Sequence, residues 1–151
     1  HKVSHDFDAG DIVEQQKIIL DDGASYHEIS SHLAESGALS MHRLLAELDS
    51  DSLTVVPQDE AEASYYPYPG ADDFDIDTDY SARQLYNFMR ATEAFAQPYR
   101  YCSGRQCFFL DKALDFDNKL ELETLEIQGN SLYIPSNDGV LIVRYTDKMV
   151  I

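Results

Sequence analysis

A stretch in the middle of the chain, residues 51–70, limits the possible folds because it has neither helical nor strand periodicity. It contains Pro57, Pro67 and Pro69 and ends at Gly70. Proline lacks the backbone N–H that helices and sheets use, so this stretch favours an extended connection along the surface. The sequence therefore predicts two folded segments, residues 1–50 and 71–151, joined by a linker.

The first segment carries an extended pattern followed by a helical one. Apolar residues at 12–20 and a short run at 2–4 flank a polar, glycine-containing turn at 8–11, which predicts a strand, a turn and a strand. Ser25 and Glu28 then have the spacing of a helix capping box. Apolar residues near helical spacing continue to Leu48, so we expect one helix over 25–48 with a buried face.

The second segment begins with a helix and continues with short strands. Ser81 and Gln84 repeat the capping pattern, which predicts a helix over 82–95 that ends before Pro98. The runs rich in β-branched and aromatic residues that follow are 99–102, 106–111, 120–127, 131–135 and 140–145. They predict a small antiparallel sheet or barrel in an α+β segment.

The charge of the chain argues against a polyanionic partner. Eleven Lys and Arg stand against 28 Asp and Glu, for a net charge of -17. The basic residues that do cluster, Lys112 with Lys119 and those within 100–105, are interrupted by acidic or neutral residues. The average field repels tRNA, DNA and anionic lipid. Also, no apolar run approaches the roughly 20 residues that span a bilayer.

Cys102 and Cys107 have a spacing that places them opposite one another across a short hairpin. Since no targeting sequence precedes them, we expect reduced, buried thiols in a cytoplasmic protein, with a disulfide as the geometric alternative. The chain opens with His1 instead of Met. We expect from this that it was cut from a longer protein.

Several residues have two interpretations. Oxygen-bearing residues alternate over 73–79 as in a calcium loop, but Thr78 and Gln84 occupy the positions where the loop requires Gly and Glu. We therefore expect a solvated acidic turn and no metal site. Arg90 either binds an anionic substrate or forms an ion pair with a nearby acid, and we favour the ion pair. The tyrosines 65, 66 and 68 are expected to pack the linker onto a neighbouring lobe.

The segment from His1 to Gln15 resembles the H-x(6)-D-x-G-x-I-x-x-Q signature of the methionyl-tRNA formyltransferase-like family, whose members use 10-formyltetrahydrofolate. His1, Asp8, Gly10 and Ile12 occupy the signature positions. Further similarity lies in 63–67 and 81–91. The resemblance implies that residues 1–50 are the end of a Rossmann-like α/β catalytic domain and that 71–151 form a barrel of the oligonucleotide/oligosaccharide-binding kind.

The resemblance also implies roles for the residues of the signature. Asp8 corresponds to the catalytic aspartate that assists proton transfer, and His1 would orient it. Asp6, Phe7 and Gly10 would lie beside the folate donor. An asparagine and a further histidine that the family carries upstream have no counterpart here, so we expect little or no activity from these 151 residues alone.

Three functions are consistent with the sequence. The acidic charge favours a small primary amine, such as an amino sugar nucleotide, as the formyl acceptor. The alternatives are methionyl-tRNA as acceptor, and a noncatalytic binding or assembly module. An interrupted α/β sheet would expose apolar residues near Ile12, Val13 and Ile18, which a homodimer would cover.

Overall fold

A computed structural model describes residues 1–150, except for the side chain of Val150. The chain divides into two compact units. The amino-terminal unit consists of His1–Ile19 and Ser30–Pro67. The sheet unit consists of Leu20–Ile29 together with the residues from Tyr68 onward. Helix α1, Tyr26–Asp49, begins in the residues of the sheet unit and continues in those of the amino-terminal unit.

The start of α1 follows the predicted capping box. The Glu28 amide donates to the Ser25 hydroxyl oxygen at 3.3 Å, and the Ser25 amide donates to the Glu28 carboxylate at 2.8 Å. Hydrogen bonds from the side chain and backbone of Ser25 lower the pKa of Glu28. The helix predicted over 25–48 is confirmed by α1. The capping box stabilises its start, because it satisfies amides of the first turn locally.

The buried face that was expected on α1 is absent. No residue of the helix is buried, and Leu33, Met41, Leu45 and Leu48 are each about half exposed or more. The strand pair expected within residues 2–20 is also wrong, since Ile12 and Val56 form only an isolated antiparallel bridge there. A strand needs neighbouring strands to satisfy its backbone, and this part of the chain supplies a single two-residue pairing.

The sheet unit contains five antiparallel strands. They are β1 (Tyr99–Ser103), β2 (Gln106–Asp117), β3 (Glu126–Gln128), β4 (Ser131–Ser136) and β5 (Gly139–Val150). Their order in the sheet is β1-β2-β5-β4-β3, so β1 and β3 are the two edges among the described residues. The sheet is open, and the closed barrel that was expected is not confirmed.

Helix α2, Ala82–Thr92, supplies the second layer of the sheet unit, and a short 3-10 turn continues it to Phe95. Ser81 and Gln84 form the predicted capping box. Leu85 and Met89 lie on the buried face of α2. They join a continuous core with side chains of the sheet that are almost fully buried, namely Phe108, Leu110, Leu132, Ile134, Leu141 and Val143.

One face of α2 binds the segment before α1. The Gly23 amide donates to Asn87 Oδ1 at 2.6 Å, and Arg83 Nε donates to Asp22 Oδ1 at 2.7 Å. Gly23 has a φ of 73°, and a Cβ there would lie 2.5 Å from the Tyr86 ring. Only glycine fits this turn without displacing Tyr86.

Arg90 belongs to the same structural network. Its Nε donates to the Gly23 carbonyl at 3.0 Å, and its Nη1 pairs with Glu93 Oε2 at 2.9 Å. The guanidinium is therefore engaged by a backbone oxygen and a carboxylate of the sheet unit. These contacts agree with the ion-pair interpretation of Arg90.

Two sequence expectations are wrong in whole or in part. Tyr65 and Tyr66 are 87% and 88% exposed, so they do not pin the linker to anything in their unit, whereas the Tyr68 ring lies 5.6 Å from that of Phe95. Cys102 and Cys107 are joined by a disulfide instead of lying reduced. Their direct opposition in the β1–β2 hairpin brings the two sulfur atoms together.

Two kinds of feature are missing from the part of the chain that the structure describes. It contains no helix long and apolar enough to cross a membrane. Within the same residues, no group of three or more His, Cys, Asp or Glu side chains is arranged to hold a metal ion.

Candidate functional site

The signature residues at the start of the chain form a turn whose ends are held by the backbone. The Lys2 amide donates to the Asp11 carbonyl at 2.9 Å. Asp8 lies within this turn at a φ of 55°, in the left-handed region that aspartate tolerates better than most residues. The sequence places an Asp-Ala-Gly-Asp turn here, and the structure confirms that turn without the flanking strands.

Gly10 is required by the packing of the turn on itself. It is buried, and a Cβ at this position would lie 1.8 Å from the Lys2 carbonyl oxygen. Any side chain at residue 10 would push the two sides of the turn apart. The close packing inside the turn therefore explains why the signature position is a glycine.

His1 and Asp8 meet across this turn. His1 Nε2 lies 3.3 Å from Asp8 Oδ1. The Asp8 side chain is otherwise open to solvent, with 93% of it exposed, and the His1 side chain is partly covered. The structure therefore brings together the two residues to which catalytic roles were assigned from sequence.

The His1 ring makes two polar contacts. Its Nδ1 lies 2.9 Å from the Lys2 carbonyl oxygen, which can only accept a hydrogen bond, and its Nε2 faces the Asp8 carboxylate. These contacts orient the ring across the turn.

Gln58 supports the turn and was missed by the sequence analysis. Its side-chain amide donates to the Asp8 carbonyl at 2.6 Å and to the Gly10 carbonyl at 2.7 Å. These bonds fix the backbone on both sides of Ala9, and so they position Asp8. No sequence signal pointed to Gln58, because it lies about fifty residues away in a segment without periodicity.

Asp6 and Phe7 lie at the exposed tip of the same turn. The Asp6 carbonyl accepts from the Ser4 hydroxyl at 2.7 Å, and its carboxylate lies 3.3 Å from His5 Nδ1. The Phe7 side chain is entirely exposed. It borders a groove whose other lining residues include Asp8, Pro57, Gln58, Asp59, Glu60 and Glu62.

The surroundings of the turn are acidic, and the basic side chains nearby are already paired. Lys2 Nζ lies 3.3 Å from Asp11 Oδ2, and Arg43 pairs with Glu14. Elsewhere in the chain, the arginines that form ion pairs with acidic residues are Arg83, Arg90, Arg100 and Arg144. Pairing partly neutralises these six cations, which reduces the positive surface that nucleic-acid phosphates could contact.

Comparison with known proteins identifies formyltransferases. No protein-family model matches the chain. The chain is 27% identical over 144 residues to the methionyl-tRNA formyltransferase of Syntrophomonas wolfei subsp. wolfei, covering 93% of this chain and 46% of that protein. It thus spans about half the length of the curated relatives that it matches over most of its own length.

Two solved structures share the fold at low sequence identity. One is an N-formyltransferase from Helicobacter canadensis in complex with folinic acid and dTDP-3-aminofucose, at a TM-score of 0.72 and 13% identity over 95% of this chain and 52% of that one. The other is WlaRD, a sugar 3-N-formyltransferase crystallised with dTDP and 5-N-formyl-tetrahydrofolate, at a TM-score of 0.73 and 15% identity over 99% of this chain and 54% of that one.

The sequence similarity and the shared fold agree with the signature in residues 1–15. This chain covers about half of each matched protein, which fits a carboxyl-terminal portion of those proteins. The chain is similar to methionyl-tRNA formyltransferases over most of its length.

Proposed function

We propose that this chain is part of an N-formyltransferase that moves a formyl group from 10-formyltetrahydrofolate to a primary amine. The observation that supports this most directly is the 3.3 Å contact between His1 Nε2 and Asp8 Oδ1 in the signature turn. Gly10 and Gln58 hold that turn in shape. The pair is thus placed by the fold, although its side chains face solvent.

The reaction needs a group that accepts a proton next to the attacking amine. As the nitrogen bonds to the formyl carbon, it must lose a proton while negative charge develops on the formyl oxygen. Asp8 supplies a carboxylate for that proton, and His1 holds or releases the proton at Nε2. General acid–base assistance of this kind contributes about 10²–10⁴-fold to a rate.

The residues proposed to contact the folate donor fit that role to different degrees. Phe7 exposes a complete aromatic face on which a flat pteridine ring can stack, and Asp6 exposes a carboxylate that can accept from ring N–H groups. Gly10 is buried against Lys2, so its part is to shape the turn and not to touch the donor. The donor itself supplies the formyl group.

For the acceptor, we propose a small amine such as an amino sugar nucleotide. The net charge of -17 and the paired arginines disfavour a long polyphosphate backbone. The sugar N-formyltransferases that share the fold are consistent with this choice. Methionyl-tRNA is the second candidate, because the curated relatives are methionyl-tRNA formyltransferases.

We propose that the 151 residues alone have little activity. The Asp8 carboxylate is 93% exposed, and a carboxylate in open solvent gains little from the low dielectric that strengthens catalytic electrostatics. The first measurement is the intact mass of the natural protein beside its encoded reading frame. If sequence upstream of His1 supplies further polar groups, the longer protein is the one to assay.

The decisive assay compares Asp8→Asn with the unmodified sequence, both in the full-length natural protein, in formyl transfer to amino sugar nucleotides and to methionyl-tRNA. We expect a loss of about 10²–10⁴-fold in kcat. Asp21→Asn is the matched control, because Asp21 is an exposed aspartate in a different turn. Equal activity of the two variants would remove Asp8 from the mechanism.

A noncatalytic binding or assembly role is the remaining alternative, and a homodimer belongs to it. The exposed apolar side chains of α1 give a reason to test association. Sedimentation of the protein over a range of concentrations measures it. A protein that binds neither folate nor an amine, yet self-associates, would support the noncatalytic role over the enzymatic one.

A further inference from the structure

We propose that Cys102 and Cys107 form a reversible thiol–disulfide exchange site at the tip of the β1–β2 hairpin, opened by a low-molecular-weight thiol. The disulfide connects two residues that oppose each other directly in the strand register. This inference does not depend on formyl transfer. Its readout is the state of two sulfur atoms.

The hairpin favours closing the bond again after it has opened. The two Cα atoms are 4.1 Å apart, and the residues between the cysteines form the tight turn that ends β1 and starts β2. Strand pairing continues away from the tip through Tyr101 and Phe108. Two thiols held on adjacent paired positions meet at a high effective concentration, which favours intramolecular closure.

The two cysteines differ in exposure. Cys102 is exposed, as are the turn residues Ser103, Gly104 and Arg105, whereas Cys107 is only 3% exposed. An incoming thiolate therefore reaches the Cys102 sulfur first. The departing sulfur is then that of Cys107, which lies on the protected side of the bond.

The exchange balances with a thiol as the only co-reactant. A thiolate attacks Cys102 Sγ, the bond to Cys107 Sγ breaks, and Cys107 leaves as a thiolate that takes up a proton. A second thiolate attacks the outer sulfur of the mixed disulfide and releases Cys102 as a thiolate. In total, two thiols are oxidised to one small disulfide while the protein disulfide is reduced to two thiols.

Arg105 lies in the turn that connects the two cysteines. Positive charge near a cysteine stabilises the thiolate that exchange requires.

The rest of the hairpin is held independently of the disulfide. Tyr99 and Leu110 pair at the far end of the hairpin and are buried in the core. The Ile76 amide also donates to the Arg100 carbonyl at 2.7 Å on the outer side of β1. Opening the bond should therefore release the tip alone, without unfolding the sheet.

The test incubates the native, oxidised protein with reduced glutathione at millimolar concentration, then blocks free thiols by alkylation and counts them by mass. We expect both cysteines to become alkylated while the near-ultraviolet circular dichroism stays unchanged, and the disulfide to return in oxidised glutathione. Reduction that occurs only in denaturant, or that removes the tertiary signal, would overturn the proposal and leave a purely structural bond.

Single variants test the order of attack. Cys107→Ser leaves the exposed thiol, and Cys102→Ser leaves the buried one. We expect oxidised glutathione to form a mixed disulfide with the first variant about tenfold faster or more, because thiol reactivity follows exposure and thiolate character. Equal rates, or the opposite order, would contradict the assignment of Cys102 as the attacked sulfur.

Met149→Leu serves as the matched control, since Met149 opposes Cys107 on the neighbouring strand and brings a third sulfur to the same row. Its exchange rate should equal that of the unmodified protein. A changed rate in this variant would mean that the local packing, and not the cysteine pair, sets the exchange.

Discussion

The sheet unit and the amino-terminal unit contain similar apolar residues but use them differently. The sheet unit buries large apolar side chains almost completely, among them Phe108, Leu132 and Leu141. Among the residues of the amino-terminal unit, only Gly10 is buried. Hydrophobic stabilisation follows the area removed from water, at roughly 25 cal/mol per Å². The sheet unit therefore carries most of the stability that this chain can have by itself.

The difference comes from the kind of partner that each element has. Four of the five strands and α2 contribute buried side chains to a common core, whereas the edge strand β3 is exposed. Helix α1 has apolar residues on more than one face, and Leu39 and Leu45 stay more than half exposed. Helix α1 therefore gains little stability from burial within this chain.

The largest expected effect is the loss of a core side chain in the sheet unit. Leu132→Ala removes a fully buried side chain and should lower the free energy of unfolding by about 2–5 kcal/mol. Leu45→Ala on α1 removes a side chain that is 56% exposed and should change it by less than about 0.5 kcal/mol. Urea unfolding of both variants measures the contrast, and similar losses would show that α1 is covered in solution.

Two glycine substitutions test the same contrast through the backbone. Gly23→Ala puts a side chain at positive φ against Tyr86, and we expect a cost of about 1–3 kcal/mol. Gly37 lies within α1, where a Cβ would meet nothing within 4 Å, so Gly37→Ala should stabilise the helix by up to about 1 kcal/mol.

Thermal unfolding measures the stability change in Gly23→Ala. Circular dichroism measures the change in helix content in Gly37→Ala. A destabilising Gly37→Ala would reveal a neighbour packed closely on α1. A neutral Gly23→Ala would mean that the turn before α1 can move away from α2 without loss. Either result would weaken the distinction between the tightly packed sheet unit and the exposed helix.

Local chemistry is what the sequence predicts well. The two capping boxes at Ser25 and Ser81 were predicted because each joins a side chain to a backbone amide three residues away. The turn that contains Asp8 was predicted from its short polar sequence with Gly10. Within this turn, the sequence resemblance named His1 and Asp8, and the structure brings them to 3.3 Å.

What the sequence does not predict depends on distant partners. β2 and β5 are each about twice as long as their apolar patterns indicate, because they pair with each other along nearly their full length. The strands expected within 2–20 lack such a partner and do not form. Gln58 reaches the site from the linker region, and no local pattern marks it. Long-range pairing overrides local preference in each case.

The smallest expected effect concerns acid and the segment before α1. Hydrogen bonds from Asn87 and then Arg83 lower the pKa of Asp22 below 3.8. A carboxylate with a lowered folded-state pKa stabilises the fold above its unfolded-state pKa, and that contribution is lost as the pH falls through the lowered value. The Gly23 amide, which donates to the same Asn87 side chain, should report this loss.

A pH titration of the Gly23 amide signal by nuclear magnetic resonance should therefore show a transition with its midpoint below 3.8. Asp22→Asn should abolish that transition, whereas Asp21→Asn, at the neighbouring exposed aspartate, should leave it in place. A transition that persists in Asp22→Asn would assign the acid response to another carboxylate. Because α2 holds this segment through polar contacts, acid should loosen the segment while the apolar core beneath α2 stays intact.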